Sequence, residues 1–158
     1  MCGIVGILNS NSLKTESIDI LKKLEYRGYD SAGLSLFSQK RIKTIKSVGK
    51  ISALEKKIKS ISDKPFDGVI GHTRWATHGG KTDANAHPHL DSSGNLALVH
   101  NGTINNANEL REELESYGHQ FTSETDTEVI AKLIGHIKDE KSLSLRDATE
   151  RALLRCDG

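Results

Sequence analysis

The hydrophobic pattern predicts a first part that mixes strands with helices and a last part made of helices. Short apolar or alternating runs predict strands at residues 3–8, 32–37, 42–48, 68–74 and 96–100, with the second and third paired as a hairpin. Apolar residues at helical spacing predict helices over residues 15–24, 51–61, 108–117, 126–138 and 144–156. This order favours an α+β fold with an antiparallel sheet over a doubly wound parallel sheet.

Local sequence signals add predictions about the first strand, the ends of two helices and a long loop. The run at 3–8 is almost wholly apolar, which predicts a strand covered on both faces. Asp63-Lys64-Pro65 should end the second helix. The segment Ser123-Glu124-Thr125-Asp126 fits the acidic form of the capping box and should mark the start of a helix. Residues 75–95 show no periodicity, which predicts a long loop of the kind that is usually functional or disordered.

Composition narrows the class of protein. The chain has 158 residues, the size of one ordinary domain, and a formal net charge of +1, which gives no indication of a nucleic-acid or membrane partner. Two cysteines, Cys2 and Cys156, cannot form a disulfide framework and favour a reducing compartment. The sequence shows neither a signal-peptide pattern nor a run of about 18 apolar residues. We therefore predict a cytoplasmic globular domain.

Cys2 is the first candidate for chemistry, because removal of Met1 would make it the N-terminal residue. A terminal cysteine carries a thiol nucleophile beside a free α-amine, and α-amines titrate at about 7.7–8.0, close enough to neutral pH to act as a base. A cysteine at position 2 can equally be an incidental small residue. The catalytic hypothesis therefore depends on the other segments.

Polar residues at the ends of the predicted elements could complement such a nucleophile. The Asn101 amide and the Gly102 N–H offer two donors for an oxyanion, although Asn-Gly is also a common hairpin turn. Arg74 offers a planar fork for a carboxylate or, alternatively, one partner of a surface ion pair. Asp126 could bind a substrate ammonium or complement the dipole of its helix.

The histidines suggest a competing hypothesis, a metal-dependent hydrolase. Most of them lie between residues 72 and 100, and His87-Pro88-His89 would place two imidazoles on one side of an extended segment. The nearby carboxylates, Asp83 and Asp91, show no recognisable ligand spacing, and no HExxH pattern is present. We therefore favour structural hydrogen bonding for these histidines and predict no metal and no cofactor.

Six segments, taken together, carry a family resemblance. In chain order they are Cys2-Gly3-Ile4-Val5-Gly6, EYRGYDSAG at 25–33, HTRWATHG at 72–79, NAHPH at 85–89, VHNG at 99–102 and SETDTE at 123–128. They resemble the glutaminase domain of class II glutamine amidotransferases from Cys2 to about Ala152. The YRGY and RWATH forms suit the members that aminate fructose 6-phosphate better than the amidophosphoribosyltransferases, which share the layout and are the alternative.

The resemblance implies catalytic roles for three residues. Cys2, freed of Met1, would attack the side-chain amide of glutamine, with its own α-amine acting as the base through a water and later protonating the departing ammonia. Asn101 and the backbone N–H of Gly102 would form the oxyanion hole.

The same resemblance implies substrate-binding and supporting roles. Glutamine would be bound through its α-carboxylate and its α-ammonium, by Arg74 with Thr77 and His78 and by Asp126, respectively. Trp75 would close the route of ammonia toward a partner domain. Three further residues would brace the site or belong to the loop that covers glutamine: Arg27, Asp30 and His87.

The fold implied by the resemblance is the N-terminal-nucleophile hydrolase αββα sandwich, with two antiparallel sheets between helices. In the family this domain continues with further strands and two sugar-isomerase domains, so residues 1–158 are expected to be a partial glutaminase domain. Fructose 6-phosphate would react only through those missing domains, and the parent enzyme would be a homo-oligomer. An inactive truncated fragment is the alternative to an active glutaminase.

Overall fold

The computed structural model describes residues 2–39, 41–61, 66–76 and 79–158, which fall into two compact units. The first unit comprises Met1–Pro88 and Val99–Asn101, and the second comprises His89–Leu98 and Gly102–Gly158. The predicted helix stop at Asp63-Lys64-Pro65 lies outside the described residues, as do Thr77 and His78.

The first unit is built on an antiparallel sheet of four strands in the order β1-β4-β2-β3. Their bounds are β1 Gly3–Leu8, β2 Ser31–Ser38, β3 Arg41–Val48 and β4 Gly68–Arg74. Helix α1 (Leu13–Leu24) packs against β1 and β4, and helix α2 (Ile51–Lys59) packs against β2 and β3. A 3-10 turn, Glu25–Arg27, follows α1. The predicted hairpin, helices and strand 68–74 are confirmed, with ends that differ by at most two residues.

The core of the first unit lies between the helices and one face of the sheet. Leu21 and Leu54, from the apolar stripes of the two helices, are fully buried with Leu34 and Leu36 of β2. Burial of each such aliphatic side chain contributes roughly 1.5–3 kcal/mol to folding. The helical spacing in the sequence therefore corresponds to the buried faces of both helices.

The expectation that β1 is covered on both faces is wrong for the described residues. Val5 is buried, but Ile4 is 44% exposed and Leu8 is 67% exposed. β1 lies at one edge of the sheet and α1 covers the face that carries Val5, so alternate side chains point away from this core.

The second unit is organised around helix α4, Asp126–Glu140, whose residues from Thr127 to Gly135 are all buried. Helices α3 (Ala107–Ser116) and α5 (Leu145–Leu153) pack against it, as do the strands β5 (His89–Leu90) and β6 (Ala97–Leu98), which pair with each other. The three predicted helices are confirmed. Among the described residues, no helix has both the length and the apolar character required to cross a bilayer.

Two details of the second unit differ from the sequence prediction. The predicted strand 96–100 is reduced to Ala97–Leu98, and its partner β5 lies inside the segment predicted as a loop. The N-cap of α4 is Thr125, whose side chain accepts a hydrogen bond from the Glu128 amide, rather than Ser123. Ser123 instead donates through its backbone amide and its hydroxyl to the Glu128 carboxylate. The helix begins at Asp126, as predicted.

Candidate active site

Cys2 is held at the point where β1 begins and β4 ends. Gly3 pairs with Thr73 in the sheet, and its amide also donates to Thr73 Oγ1 at 3.0 Å. This pairing brings the Cys2 thiol beside the residue that follows β4, where the Trp75 amide lies 3.3 Å from Sγ. Cys2 is partly exposed.

Two side chains converge on the backbone carbonyl of Cys2. Arg27 Nε lies 3.2 Å from this oxygen and Asn101 Nδ2 lies 3.4 Å from it. The Asn101 amide is fixed on its other side, because its Oδ1 lies 2.7 Å from His72 Nε2. Within the first unit, the structure therefore brings together Cys2, Arg27 and Asn101, three of the residues that the sequence predicts for the site.

Asp30 ties the turn after α1 to the segment that follows β4. Its amide donates to the Arg74 carbonyl at 3.1 Å, and its carboxylate accepts from the Ala76 amide at 2.9 Å and pairs with Lys81 at 2.6 Å. Burial alone would raise the pKa of Asp30. The hydrogen bonds from Lys81 and Ala76, with the charges of Lys81 and Arg74, instead hold this pKa below its ordinary value. The contacts agree with a bracing role.

Arg74 is a buried cation at the end of β4. It is only 6% exposed, and its Nη1 donates to the Gly80 carbonyl at 3.1 Å, an oxygen that also accepts from Asn85 Nδ2. This burial argues against the surface ion pair considered from the sequence. Trp75, the next residue, is 43% exposed and makes an edge-to-face contact with Tyr29 at 5.4 Å.

His72 and His87 form a buried stacked pair, with ring centroids 4.1 Å apart and an interplanar angle of 18°. His72 faces Gly33 across the β2–β4 ladder, and a Cβ on Gly33 would lie 2.2 Å from the His87 carbonyl oxygen. Glycine at this position therefore permits the backbone of the His87 segment to lie close against β2. Burial lowers the pKa of His72 to about 4, so its ring is neutral at physiological pH.

Gly102 and Asp126 belong to the second unit. Asp126 lies in the first turn of α4, where a carboxylate also complements the helix dipole. Its Oδ2 accepts from the Ile104 amide at 2.9 Å, so it holds the chain segment that follows Gly102. The predicted convergence of these two residues with Cys2 remains a prediction, and Thr77 and His78 lie outside the described residues.

The two histidines of the suggested metal pair are engaged separately. His87 stacks on His72, whereas His89 Nε2 lies 2.9 Å from Thr125 Oγ1 in the second unit. No group of three or more His, Cys, Asp or Glu that could bind a metal occurs among the described residues.

Sequence reasoning missed three supporting residues. Thr73 anchors the amide after Cys2, Lys81 pairs with Asp30, and His72 contacts Asn101. His72 had a detectable signal, since it is a histidine that follows the apolar part of the predicted strand and lies two residues before Arg74. Lys81 had none, because a lysine in a polar loop is ordinarily solvated.

A model of the glutamine amidotransferase domain family matches residues 59–145, more than half of the chain. The chain therefore belongs to this family. Two of its relatives are enzymes called glutamine–fructose-6-phosphate aminotransferase (isomerizing). That of Sulfurisphaera tokodaii is 55% identical over 85% of this chain, and that of Corynebacterium diphtheriae is 47% identical over 100% of it. The chain spans only 23% and 27% of the lengths of these relatives.

Solved structures agree with this assignment. An allosteric regulatory enzyme of purine biosynthesis superposes with a TM-score of 0.83 at 30% identity, covering 100% of this chain and 34% of that one. The glutamine phosphoribosylpyrophosphate amidotransferase of B. subtilis superposes with a TM-score of 0.75 at 30% identity, covering 99% and 33%. The α+β fold predicted from the sequence is thus confirmed, and it is the fold of the N-terminal-nucleophile amidotransferases.

Proposed function

We propose that this chain is the glutaminase part of an aminotransferase that makes glucosamine 6-phosphate, and that Cys2 cleaves the side-chain amide of glutamine. The observation that supports this proposal is the set of contacts made by Cys2. The Trp75 amide lies 3.3 Å from Sγ, and Asn101 Nδ2 is turned toward the Cys2 carbonyl at 3.4 Å. A thiol with amide donors beside it suits acyl transfer through a thioester.

The reaction follows from these groups. The α-amine of Cys2, exposed by removal of Met1, accepts the thiol proton, and Sγ bonds to the amide carbon of glutamine. The carbonyl oxygen becomes an oxyanion that accepts hydrogen bonds from Asn101 Nδ2 and the Gly102 amide. The proton then passes to the nitrogen, the C–N bond breaks and ammonia leaves a γ-glutamyl thioester. Water cleaves the thioester to glutamate and restores the thiol.

Two charged side chains, those of Arg74 and Asp126, are proposed to bind glutamine. Arg74 binds the α-carboxylate, supported by Thr77 and His78, and Asp126 binds the α-ammonium. Burial of the Arg74 guanidinium favours this role, since a desolvated cation interacts strongly with a carboxylate. Trp75, which is 43% exposed, is proposed to close the route that ammonia takes to the acceptor.

Fructose 6-phosphate is the proposed acceptor in the complete protein. Relatives called glutamine–fructose-6-phosphate aminotransferase are 47–55% identical to this chain, whereas the purine-biosynthesis amidotransferase structures are 30% identical. The competing candidate, phosphoribosyl pyrophosphate as acceptor, is tested by supplying each acceptor with glutamine to the full-length native protein. Glucosamine 6-phosphate should form, and no phosphoribosylamine.

Covalent labelling tests the glutaminase mechanism. Intact mass of the full-length protein should show loss of Met1 and one adduct from an electrophilic glutamine analogue, and Cys2→Ala should abolish both the adduct and glutamine hydrolysis. Retention of Met1 should be almost as damaging, because the α-nitrogen is then an amide. Substantial turnover with Met1 attached would contradict the terminal-nucleophile mechanism.

Cys156 provides the matched control. Its thiol is partly buried and donates to the Ala152 carbonyl at 3.3 Å, and burial raises its pKa. Low thiolate content makes it a poor nucleophile. Cys156→Ala should therefore leave the adduct and the hydrolysis rate unchanged. Labelling that followed Cys156 instead of Cys2 would overturn the assignment.

A further inference from the structure

The Asn101 amide carries a nitrogen and an oxygen whose positions must not be exchanged. Its nitrogen can donate to an oxyanion, whereas its oxygen in the same place would repel one. Asparagine amides rotate freely about their last torsion unless a neighbour selects one orientation. The side chain is exposed, so packing alone does not hold it. A specific partner must select the donor-forward orientation.

His72 Nε2 lies 2.7 Å from Asn101 Oδ1, while Asn101 Nδ2 lies 3.4 Å from the Cys2 carbonyl oxygen. Both contacts require the same orientation. A carbonyl oxygen accepts, so His72 must present Nε2–H to it, and the amide nitrogen is then left to donate toward Cys2.

We propose that His72 is a positioning residue for glutamine cleavage: its Nε2–H donates to Asn101 Oδ1 and thereby keeps the Asn101 nitrogen turned toward Cys2, where the oxyanion forms. This inference rests on the proposed glutaminase function. It adds a residue on β4, outside the terminal cysteine and the Asn-Gly pair, on which turnover depends.

The surroundings of His72 fix its ring. It is 1% exposed, stacks on His87 at 4.1 Å and sits in the ladder opposite Gly33. Burial lowers its pKa to about 4, which keeps the ring neutral, with a single N–H, at physiological pH. That proton can occupy Nε2 or Nδ1, and the structure favours Nε2.

The competing acceptor is the backbone carbonyl of His100, which lies near the His72 ring. Among the described residues, His72 Nδ1 has no partner in hydrogen-bond geometry, whereas the Nε2 contact at 2.7 Å is short and well formed. A proton on Nδ1 would leave two lone pairs, on Nε2 and on Asn101 Oδ1, facing each other. The Nε2–H tautomer is therefore required by the Asn101 contact.

Three substitutions in the full-length native protein separate positioning from packing. His72→Phe keeps a ring that can stack on His87 but has no donor. His72→Gln places an amide N–H near the Nε2 position, and His72→Asn is too short to reach. Loss of an oxyanion donor costs on the order of 10²–10³ in kcat, so misorienting it through His72→Phe or His72→Asn should lower kcat by about 10- to 100-fold.

The pattern of the kinetic effects identifies the role. KM for glutamine should change little, His72→Gln should recover most of the lost turnover, and His72→Phe should have no further effect on kcat in an Asn101→Ala background. His119→Phe, a half-buried histidine outside the proposed site, is the control for removal of an imidazole. Equal losses in the Phe and Gln variants, or independent effects of His72 and Asn101, would overturn the proposal.

The tautomer is measured without turnover. Long-range ¹⁵N–¹H correlation spectra of the wild-type protein, assigned with His72→Gln, should show the proton on Nε2, and a proton on Nδ1 would overturn the inference. The two proposals fail differently. A wild-type protein that cannot hydrolyse glutamine overturns both, whereas an active protein that is insensitive to His72→Phe overturns this one alone.

Discussion

In the first unit β4 pairs with β1 over six residues and with β2 over seven, whereas β5 and β6 of the second unit pair over two. The long ladders position the residues of β4 that contact the candidate site through backbone hydrogen bonds. Thr73, which anchors the amide beside Cys2, and His72 are both internal positions of β4. Their positions are therefore set by the sheet, not by their own side chains.

The second unit uses a side-chain network instead. The Glu128 carboxylate, 3% exposed, accepts from the Thr122 amide at 3.0 Å and from the Ser123 amide at 2.7 Å, and Lys132 Nζ lies 3.6 Å away. Burial alone would raise the pKa of Glu128. The hydrogen bonds from Ser123 and Thr122 and the charge of Lys132 hold it below its ordinary value.

The two units should respond differently to the substitution of a single side chain. A backbone ladder survives the loss of any one side chain, whereas a buried carboxylate that satisfies several donors does not. Side-chain deletions should therefore damage the stability of the second unit and the chemistry of the first.

The largest effect is expected from Glu128→Ala. The substitution leaves the Thr122 amide and the buried Ser123 amide without an acceptor, and Lys132, 6% exposed, without its carboxylate. Removing one partner of a buried pair typically costs about 3–5 kcal/mol. Amide hydrogen exchange of α4 in the full-length protein should show a loss of protection of this size.

Glu112→Ala on α3 is the matched control, since its side chain is exposed. Exposed substitutions of this kind usually change stability by less than about 0.5 kcal/mol. A loss of less than 1 kcal/mol for Glu128→Ala, on the order of surface effects, would show that the network does not hold α4.

Asn101→Ala should change chemistry without changing stability. One oxyanion donor is lost, which should lower kcat by about 10²–10³, equivalent to about 2.7–4 kcal/mol in the transition state. The exchange protection of β1 and β4 should be unaltered, because the ladder does not involve this side chain. Steady-state kinetics of glutamine hydrolysis, with exposed Asn95→Ala as control, provide the measurement.

Arg74→Lys sharpens the same test. A bidentate fork becomes a point charge, so ground-state binding of the α-carboxylate should weaken and KM should rise more than kcat falls. If Asn101→Ala raised KM alone, Asn101 would be a turn residue and not a catalytic one.

The stability of the first unit should depend on pH through the titration of His72. Its pKa is about 4 in the folded protein, against about 6.5 when unfolded. The unfolded state therefore binds more protons between these values, and stability falls as pH is lowered through this window, by roughly 3 kcal/mol in total. The measurement is the hydrogen-exchange protection of β4 at each pH, in the wild-type protein and in His72→Gln. Carboxylates titrate in both of these proteins, so the difference between them isolates the effect of His72.

His119 gives the corresponding measurement for the second unit. Burial, and then the charges of His136 and Lys132, lower its pKa, so stability should shift in the same direction. The shift should be smaller, since His119 is only half-buried.

For His72, a pH profile of β4 exchange that His72→Gln leaves unchanged would contradict the assigned burial effect.

Elements with strong periodicity could be predicted from the sequence, and very short ones could not. Helix α4 was predictable from apolar residues recurring over four turns, and β4 from its apolar run. β5 and β6 have two residues each, too few to show an alternation, and they form because the second unit packs them against α4. Tertiary packing decides such elements.

The candidate site and the buried Glu128 network differ in the same respect. Cys2 and the Asn101-Gly102 pair could be named as candidates because their chemistry and motifs are local in sequence. Glu128 and Lys132 could not be recognised, since oppositely charged residues four apart on a helix ordinarily form an exposed pair. Their environment includes Thr122 and Ser123, which donate to the Glu128 carboxylate from outside the helix.

The smallest effects are expected from one glycine in each unit. Nothing lies within 4 Å of a Cβ built on Gly6, which is exposed on β1. Gly6→Ala removes the excess freedom of glycine in the unfolded chain and meets no obstacle, so it should stabilise the first unit by no more than about 0.5 kcal/mol.

Gly135→Ala sets two effects against each other. Alanine improves helix propensity by about 1 kcal/mol, but its Cβ would lie 2.8 Å from Asp91 Cβ, and overpacking costs about 1–3 kcal/mol. Asp91 cannot withdraw freely, because its carboxylate accepts from the Leu96 amide at 2.9 Å. We therefore expect a net loss of about 1 kcal/mol in α4 exchange protection. A gain of about 1 kcal/mol would equal the propensity effect alone and would show that the turn at Asp91 moves to accommodate the new methyl group. Side-chain contacts of the second unit would then be less rigid than the Glu128 network implies.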